Sequence, residues 1–146
     1  MMKRILSVFL LTLLVACRLQ EPLALAEGTE KKEQEHAAVY VMVMTDTQFG
    51  WLPLPDTEEK AYSYPLRQLK EDGTVVYNII RVTKDGFWVE EASCDNQDCV
   101  HQGTVTLENR ATRVLGSMVI CLPNHLTLTL MTWEEIEEMM SQQAGD

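Results

Sequence analysis

This sequence predicts an all-β domain that ends in one short helix. Three observations carry the prediction. Apolar, β-branched runs of strand length follow one another from Val39 to Leu130, turn residues separate them, and a helix start signal appears only at Thr132.

Val39-Tyr40-Val41-Met42-Val43-Met44 is a strand by length and composition, with Asp46 just beyond it. Trp51-Leu52-Pro53-Leu54-Pro55 is a second extended piece whose prolines confine it to an edge. Asp56 to Lys60 has an acidic start and room for one helical turn. Tyr62 to Leu66 precedes a Glu71-Asp72-Gly73 turn. Val75–Val82 and Phe87–Ala92 are joined through Lys84-Asp85-Gly86, and Asp-Gly between two β-rich runs is the strongest local hairpin signal.

Further on, Thr104–Leu107 and Arg113–Leu115 flank a Glu108-Asn109-Arg110 turn. Ser117–Leu122 and Leu126–Leu130 flank Pro123-Asn124-His125. Leu126, Leu128 and Leu130 alternate with Thr127 and Thr129, so one face of that strand is buried and the other wet. Thr132-Trp133-Glu134-Glu135 has the capping-box pattern, and Glu134, Glu135, Glu137 and Glu138 crowd the early turns, where the helix dipole favours them. Trp133, Ile136 and Met140 fall on one stripe that can lie on a sheet.

The N-terminus assigns a compartment. Met1 to Arg4 is a short basic start, and Ile5 to Ala16 is an apolar run well short of the roughly 20 residues a bilayer span needs. Residues 1–16 read as a signal peptide. Leu14-Val15-Ala16-Cys17 resembles a bacterial lipobox, which makes Cys17 the lipidation site and the mature N-terminus. Cleavage after Ala24-Leu25-Ala26, giving a secreted chain that starts at Glu27, is the alternative. Residues 17–37 hold the lipid site and a tether rich in Glu, Lys and Gln without a hydrophobic period, and 38–142 form the domain. The expected location is the extracytoplasmic face of the cell membrane, with the membrane itself as a partner through the lipid.

Removal of the leader leaves about 120 to 130 residues, enough for one domain with a small core. The 146-residue chain carries a net charge of -10. An acidic surface repels nucleic acid and anionic headgroups, so nucleic-acid binding is excluded as a function class. No Gly-rich phosphate loop, nucleophile elbow or His-Glu-x-x-His occurs, and no catalytic residue or cofactor is assigned.

The informative residues are Cys94, Cys99 and Cys121. With Cys17 lipidated, an odd number of thiols remains in the domain, and outside the cytosol paired thiols oxidise. A structural disulfide is the leading reading. A 94–99 loop gives about 2 kcal/mol and a longer loop to Cys121 about 3 kcal/mol. A thiol–disulfide redox site is the sharper alternative, opposed by Asp95, Asp98, Glu90 and Glu91, which suppress thiolate formation. A zinc set completed by His101 or His125 is weaker. So is an iron–sulfur pattern of Cys99-x-His101 and Cys121-x3-His125, whose second prong is one residue too long. The domain is expected to fold without metal. His36 lies in the tether and is assigned no role.

The run Cys94-x4-Cys99-Val100-x-x-Gly103, followed by Val119-Ile120-Cys121-Leu122-Pro123-Asn124, resembles the signature of the NusG domain II-like family. These are small β domains found mostly as stand-alone exported proteins. Over residues 38–131 the resemblance implies a compact, small twisted barrel-like or sandwich-like sheet with the two cysteine segments brought together. It implies no catalytic residue. A similar domain is inserted in the transcription factor NusG of some bacteria, but its polymerase-binding and KOW modules have no counterpart here. The functional expectation is therefore a non-catalytic binding or accessory module of the cell envelope with a protein partner there. A thiol redox or electron-transfer accessory is the alternative.

Overall fold

The computed structural model describes residues 37–143. The residues expected to form a signal peptide, lipidation site and tether, up to residue 36, lie outside the described residues. Within them the chain runs β1 (Val39–Met44), β2 (Phe49–Pro53), a 3-10 turn (Glu58–Lys60), β3 (Tyr62–Leu69), β4 (Val75–Val82) and β5 (Gly86–Ala92). Then follow α1 (Asp98–His101), β6 (Val105–Thr106), β7 (Met118–Cys121), β8 (Leu126–Thr132) and α2 (Trp133–Gln143).

The strands form two antiparallel four-stranded sheets, sheet A in the order β2-β1-β8-β7 and sheet B in the order β3-β4-β5-β6. The fold is all-β with a short C-terminal helix, and the described strands close no barrel. Inward residues of both sheets share one apolar cluster. Val41 and Val43, Ile80 and Val82, Phe87 and Val89, and Leu126, Leu128 and Leu130 are its centre. Each such side chain, fully buried, contributes about 1.5–3 kcal/mol. The alternation read in β8 is the observed one, with leucines buried and threonines half-buried.

Local chemistry sets the boundaries. Pro65 lies inside β3, tolerated because β3 is an outer strand. β5 needs a correction to its alternation: Ile79 faces Glu91 while Ile80 faces Val89, so Glu90 is an extra residue. Strict period-2 pairing after Val89 would turn Glu91 inward. The bulge keeps Glu90 and Glu91 both exposed and turns Ala92 into the core. Their carboxylates accept hydrogen bonds from Ser63 Oγ (2.9 Å) and Tyr77 OH (2.6 Å).

Gly86 also differs from expectation. It has no positive φ and belongs to β5, where a Cβ would lie 1.9 Å from the Val105 carbonyl oxygen. Its bare backbone lets β6 pair at Gly86↔Thr106.

Between β6 and β7 the expected strand over Arg113–Leu115 does not form. Residues 107–117 are successive turns, and Val114 is fully exposed. The reason is tertiary: the Arg113 guanidinium donates to the carbonyls of Thr104 (3.3 Å), Gln102 (3.2 Å) and Met118 (3.4 Å), which a strand would not permit.

The capping box at α2 is formed. Thr132 N–H donates to Glu135 Oε2 at 2.8 Å, and Glu135 N–H donates to Thr132 Oγ1 at 3.3 Å. Burial pushes the Glu135 carboxyl up, but Arg110 and the Thr132 N–H outweigh it and hold it below its usual range. Ile136 is buried, whereas Met140 of the expected stripe is exposed.

Candidate functional site

Two loops meet at the end of β5. The first leaves Ala92 and passes Cys94 into α1, which carries Cys99. The second is the end of β7, whose last residue is Cys121. Cys94 Sγ lies 3.7 Å from Cys99 Sγ and 3.6 Å from Cys121 Sγ, and the three sulfurs all fall within 4.8 Å of one another. The structure thus brings the three expected cysteines together, with Cys94 in contact with both others. All three are free thiols, exposed by only 5%, 1% and 2% in sequence order.

Side-chain amides build this corner. Gln97 takes a left-handed backbone (φ +53) that starts α1, and its Nε2 donates to the carbonyls of Ala92 (2.8 Å) and Cys94. Gln102 reaches across to β7, with Nε2 donating to Ile120 O (2.8 Å) and Oε1 accepting from Ile120 N–H (2.9 Å). That double bond ties the two cysteine segments together. Gly103 follows with φ +70, the left-handed conformation that turns the chain back toward β6.

A buried polar network backs the thiols. Asn78 occupies the inward phase of β4, level with Ile80 and Val82, and is fully buried. Its Nδ2 points at Cys99 Sγ at 3.7 Å, and its Oδ1 accepts from Asn124 Nδ2 at 2.9 Å. Asn124 also donates to Tyr77 O (3.1 Å) and Ser93 Oγ (3.3 Å), while its own carbonyl accepts from Gln68 Nε2 at 2.8 Å. Sequence reasoning missed Asn78, Gln102 and Asn124 as parts of the site. Asn78 carried a signal as a polar residue on the apolar phase of a strand, and Asn124 as the last residue of the second signature segment, whereas Gln102 carried none.

Burial away from water, followed by the neighbouring thiol of Cys121, pushes both the Cys94 and Cys99 thiols up from their ordinary range. Cys94 and Cys99 are therefore held as protonated thiols at neutral pH. A groove of about 210 Å³ opens beside them, lined by Cys99, Cys121, Asn96, Asp98 and Leu122 among others.

Neither histidine joins the sulfurs, so the zinc and iron–sulfur sets that needed one are not formed among the described residues. His101 is exposed on α1. His125 has a left-handed backbone (φ +51), and its Nδ1 pairs with Asp46 Oδ2 at 2.5 Å. It lines a separate groove with Gln68 and Lys70.

A second surface lies on the outer side of sheet A. Tyr40, Met42 and Met44 of β1 face outward beside Phe49, Trp51 and Pro53 of β2. Across β8 the same face continues through Thr127, Thr129 and Met131. Phe49, Trp51, Tyr40 and Trp133 form a chain of ring contacts with centroids 5.4, 6.3 and 6.1 Å apart. Phe49 is 62% exposed and Met44 45%. No charged side chain stands on these outward positions, on a chain whose net charge is -10.

A family model described as NusG domain II matches residues 5–133. The solution structure of the Lin0431 protein from Listeria innocua is 15% identical, with a TM-score of 0.51 over 66% of this chain and 75% of that one. A DUF1312 family protein from Enterococcus faecalis V583 is 22% identical, with a TM-score of 0.48 over 65% of this chain and 98% of that one. Another from Ruminococcus gnavus ATCC 29149 is 23% identical, with a TM-score of 0.41 over 64% and 97%. The Listeria likeness concerns the fold alone. No curated protein matches the chain.

Proposed function

The chain belongs to the NusG domain II family, and we propose that it is a lipid-anchored protein of the extracytoplasmic membrane face whose β domain is a non-catalytic binding module for an envelope protein. The observation that carries this reading is the uncharged outer face of sheet A. Aromatic residues and Met are enriched, and charged residues depleted, at the centres of protein interfaces. Rings such as Phe49 and Trp51 bury much area for little lost side-chain freedom. An exposed apolar face on an acidic domain suits a docking surface better than a solvated one. The basic start, the short apolar run and Cys17 support the anchor.

The test is made in cells. A photo-crosslinking residue at Phe49 is expected to give a discrete protein adduct, and one at Val114 none. Cys17→Ser is expected to move the protein out of the membrane fraction. Equal labelling at both positions would sink the docking face, and membrane retention of Cys17→Ser would sink the anchor.

The contact of three sulfurs favours a second reading, thiol–disulfide exchange with an envelope partner. In that step a thiolate attacks a partner's disulfide, forms a mixed disulfide and releases the partner's other sulfur. Desolvation of Cys94 and Cys99 opposes it, because the thiolate is the attacking species.

A further inference from the structure

The geometry points to a binding site for a thiophilic closed-shell cation, with Zn²⁺ as its representative, held by the sulfurs of Cys94, Cys99 and Cys121 and leaving a fourth position open to the adjoining groove. This rests on other observations than the docking face, so either proposal can fail alone.

Sulfur spacing is the first argument. Cys94 Sγ stands 3.6 Å from Cys121 Sγ and 3.7 Å from Cys99 Sγ. A disulfide needs its sulfurs about 2.05 Å apart. Around zinc, sulfurs at about 2.3 Å in a tetrahedron stand about 3.8 Å from each other. The corner sits at the separation of metal-bound thiolates.

Rigidity is the second. The sulfurs come from a loop, a helical turn and a strand end, which Gln97 and Gln102 bond together through backbone atoms. A preformed site loses little freedom when an ion enters.

The third argument is the Asn78 amide. It is fully buried and aims an N–H donor at Cys99 Sγ, held in that orientation by Asn124. A neutral buried thiol is a poor acceptor, whereas a metal-bound thiolate is a good one, and such outer donors orient and tune metal ligands. An apolar residue would pack as well against a thiol.

Binding converts three S–H bonds into three S–metal bonds and sends the protons to solvent, with no change of oxidation state. Cys99 and Cys121 line the groove, so water or a small ligand reaches the fourth position, the arrangement of an open zinc site. Asp98 on the same groove attracts an approaching cation. The site needs no histidine, which is why the histidine-based reading of the sequence did not find it.

The experiment uses the full chain in detergent, reduced and kept free of oxygen, with Co²⁺ and then Zn²⁺ as probes. One Co²⁺ per chain is expected to give a thiolate-to-cobalt charge-transfer band that Zn²⁺ abolishes, with release of about three protons per ion. All three domain thiols should then be alkylated more slowly than in the same chain without the ion. Cys94→Ser and Cys121→Ser should each lose the band, His101→Ala and His125→Ala should keep it, and Asn78→Ser should weaken binding at least about tenfold. No band from a chain with three titratable thiols would overturn the proposal. So would protection of two thiols or fewer, or a band that survives in Cys121→Ser. If the serine variants do not fold, the alkylation count on the unaltered chain decides.

Discussion

At the cysteine corner the chain hides its polar and nucleophilic groups, while across the outer face of sheet A it displays rings and thioethers to water. Cys99, Asn78 and Asn124 are sealed, and Phe49 and Met44 are open. The corner is held by directional bonds whose partners are few, so each residue there is costly to replace. The face is held by the backbone beneath it, and its side chains carry little of the fold. Stability and recognition are therefore expected to separate cleanly between the two regions.

The largest effect is expected from Asn124→Leu. It strips hydrogen bonds from Asn78, Tyr77 and Ser93 at once, and buried polar groups left unpaired cost about 1–3 kcal/mol each. Urea unfolding should show a loss of about 3 kcal/mol. A loss near zero would mean that the network does not hold the corner.

Gln102→Ala should cost less, about 1–2 kcal/mol for two backbone bonds. It should also speed alkylation of Cys121 in the native state, because β7 is then no longer tied to the 94–103 segment. Unchanged alkylation would place the tie elsewhere.

A smaller effect follows from pH. In the folded state the Cys99 thiol is raised above its ordinary value of 9.0. The unfolded thiol ionises first, so the stabilising contribution is complete below that value and is lost as pH rises past it. Stability of the reduced protein should fall above pH 9 or so, and Cys99→Ala should flatten that limb of the curve relative to its own value at neutral pH. An unchanged slope in the variant would assign the limb to other groups.

Phe49→Ser should move unfolding by no more than about 0.5 kcal/mol while removing the adduct formed from a photo-crosslinking residue at the neighbouring Met44. A large destabilisation there would erase the contrast between the two regions.

Sequence and structure agree where the signal is local. The Leu126, Leu128, Leu130 alternation and the Thr132–Glu135 capping box depend on neighbours within a few residues, and both could be read in advance, whereas the helical turn Asp98–His101 inside the cysteine run was not. The meeting of Cys121 with the 94–99 loop followed from the family resemblance. Residues 107–117 could not be read: Arg113, Val114 and Leu115 look like a strand, and distant carbonyls decide otherwise. Gly86 read as a turn residue because Asp-Gly is a local cue, but the approach of Val105 from the next strand is not local. Gln102 read as an ordinary loop residue, and Asn124 as a turn residue within the signature, with no role assigned to either amide. Their amides matter only once two segments far apart in sequence lie side by side.

The Gln102 side chain has one more consequence. β7 is the outermost strand of sheet A, and an outermost strand offers unpaired N–H and C=O groups to any extended chain that drifts alongside. By occupying both backbone groups of Ile120, one glutamine amide acts as a short counterfeit strand and terminates the ladder. On this edge of the sheet, an approaching strand meets the backbone groups of Ile120 already bonded.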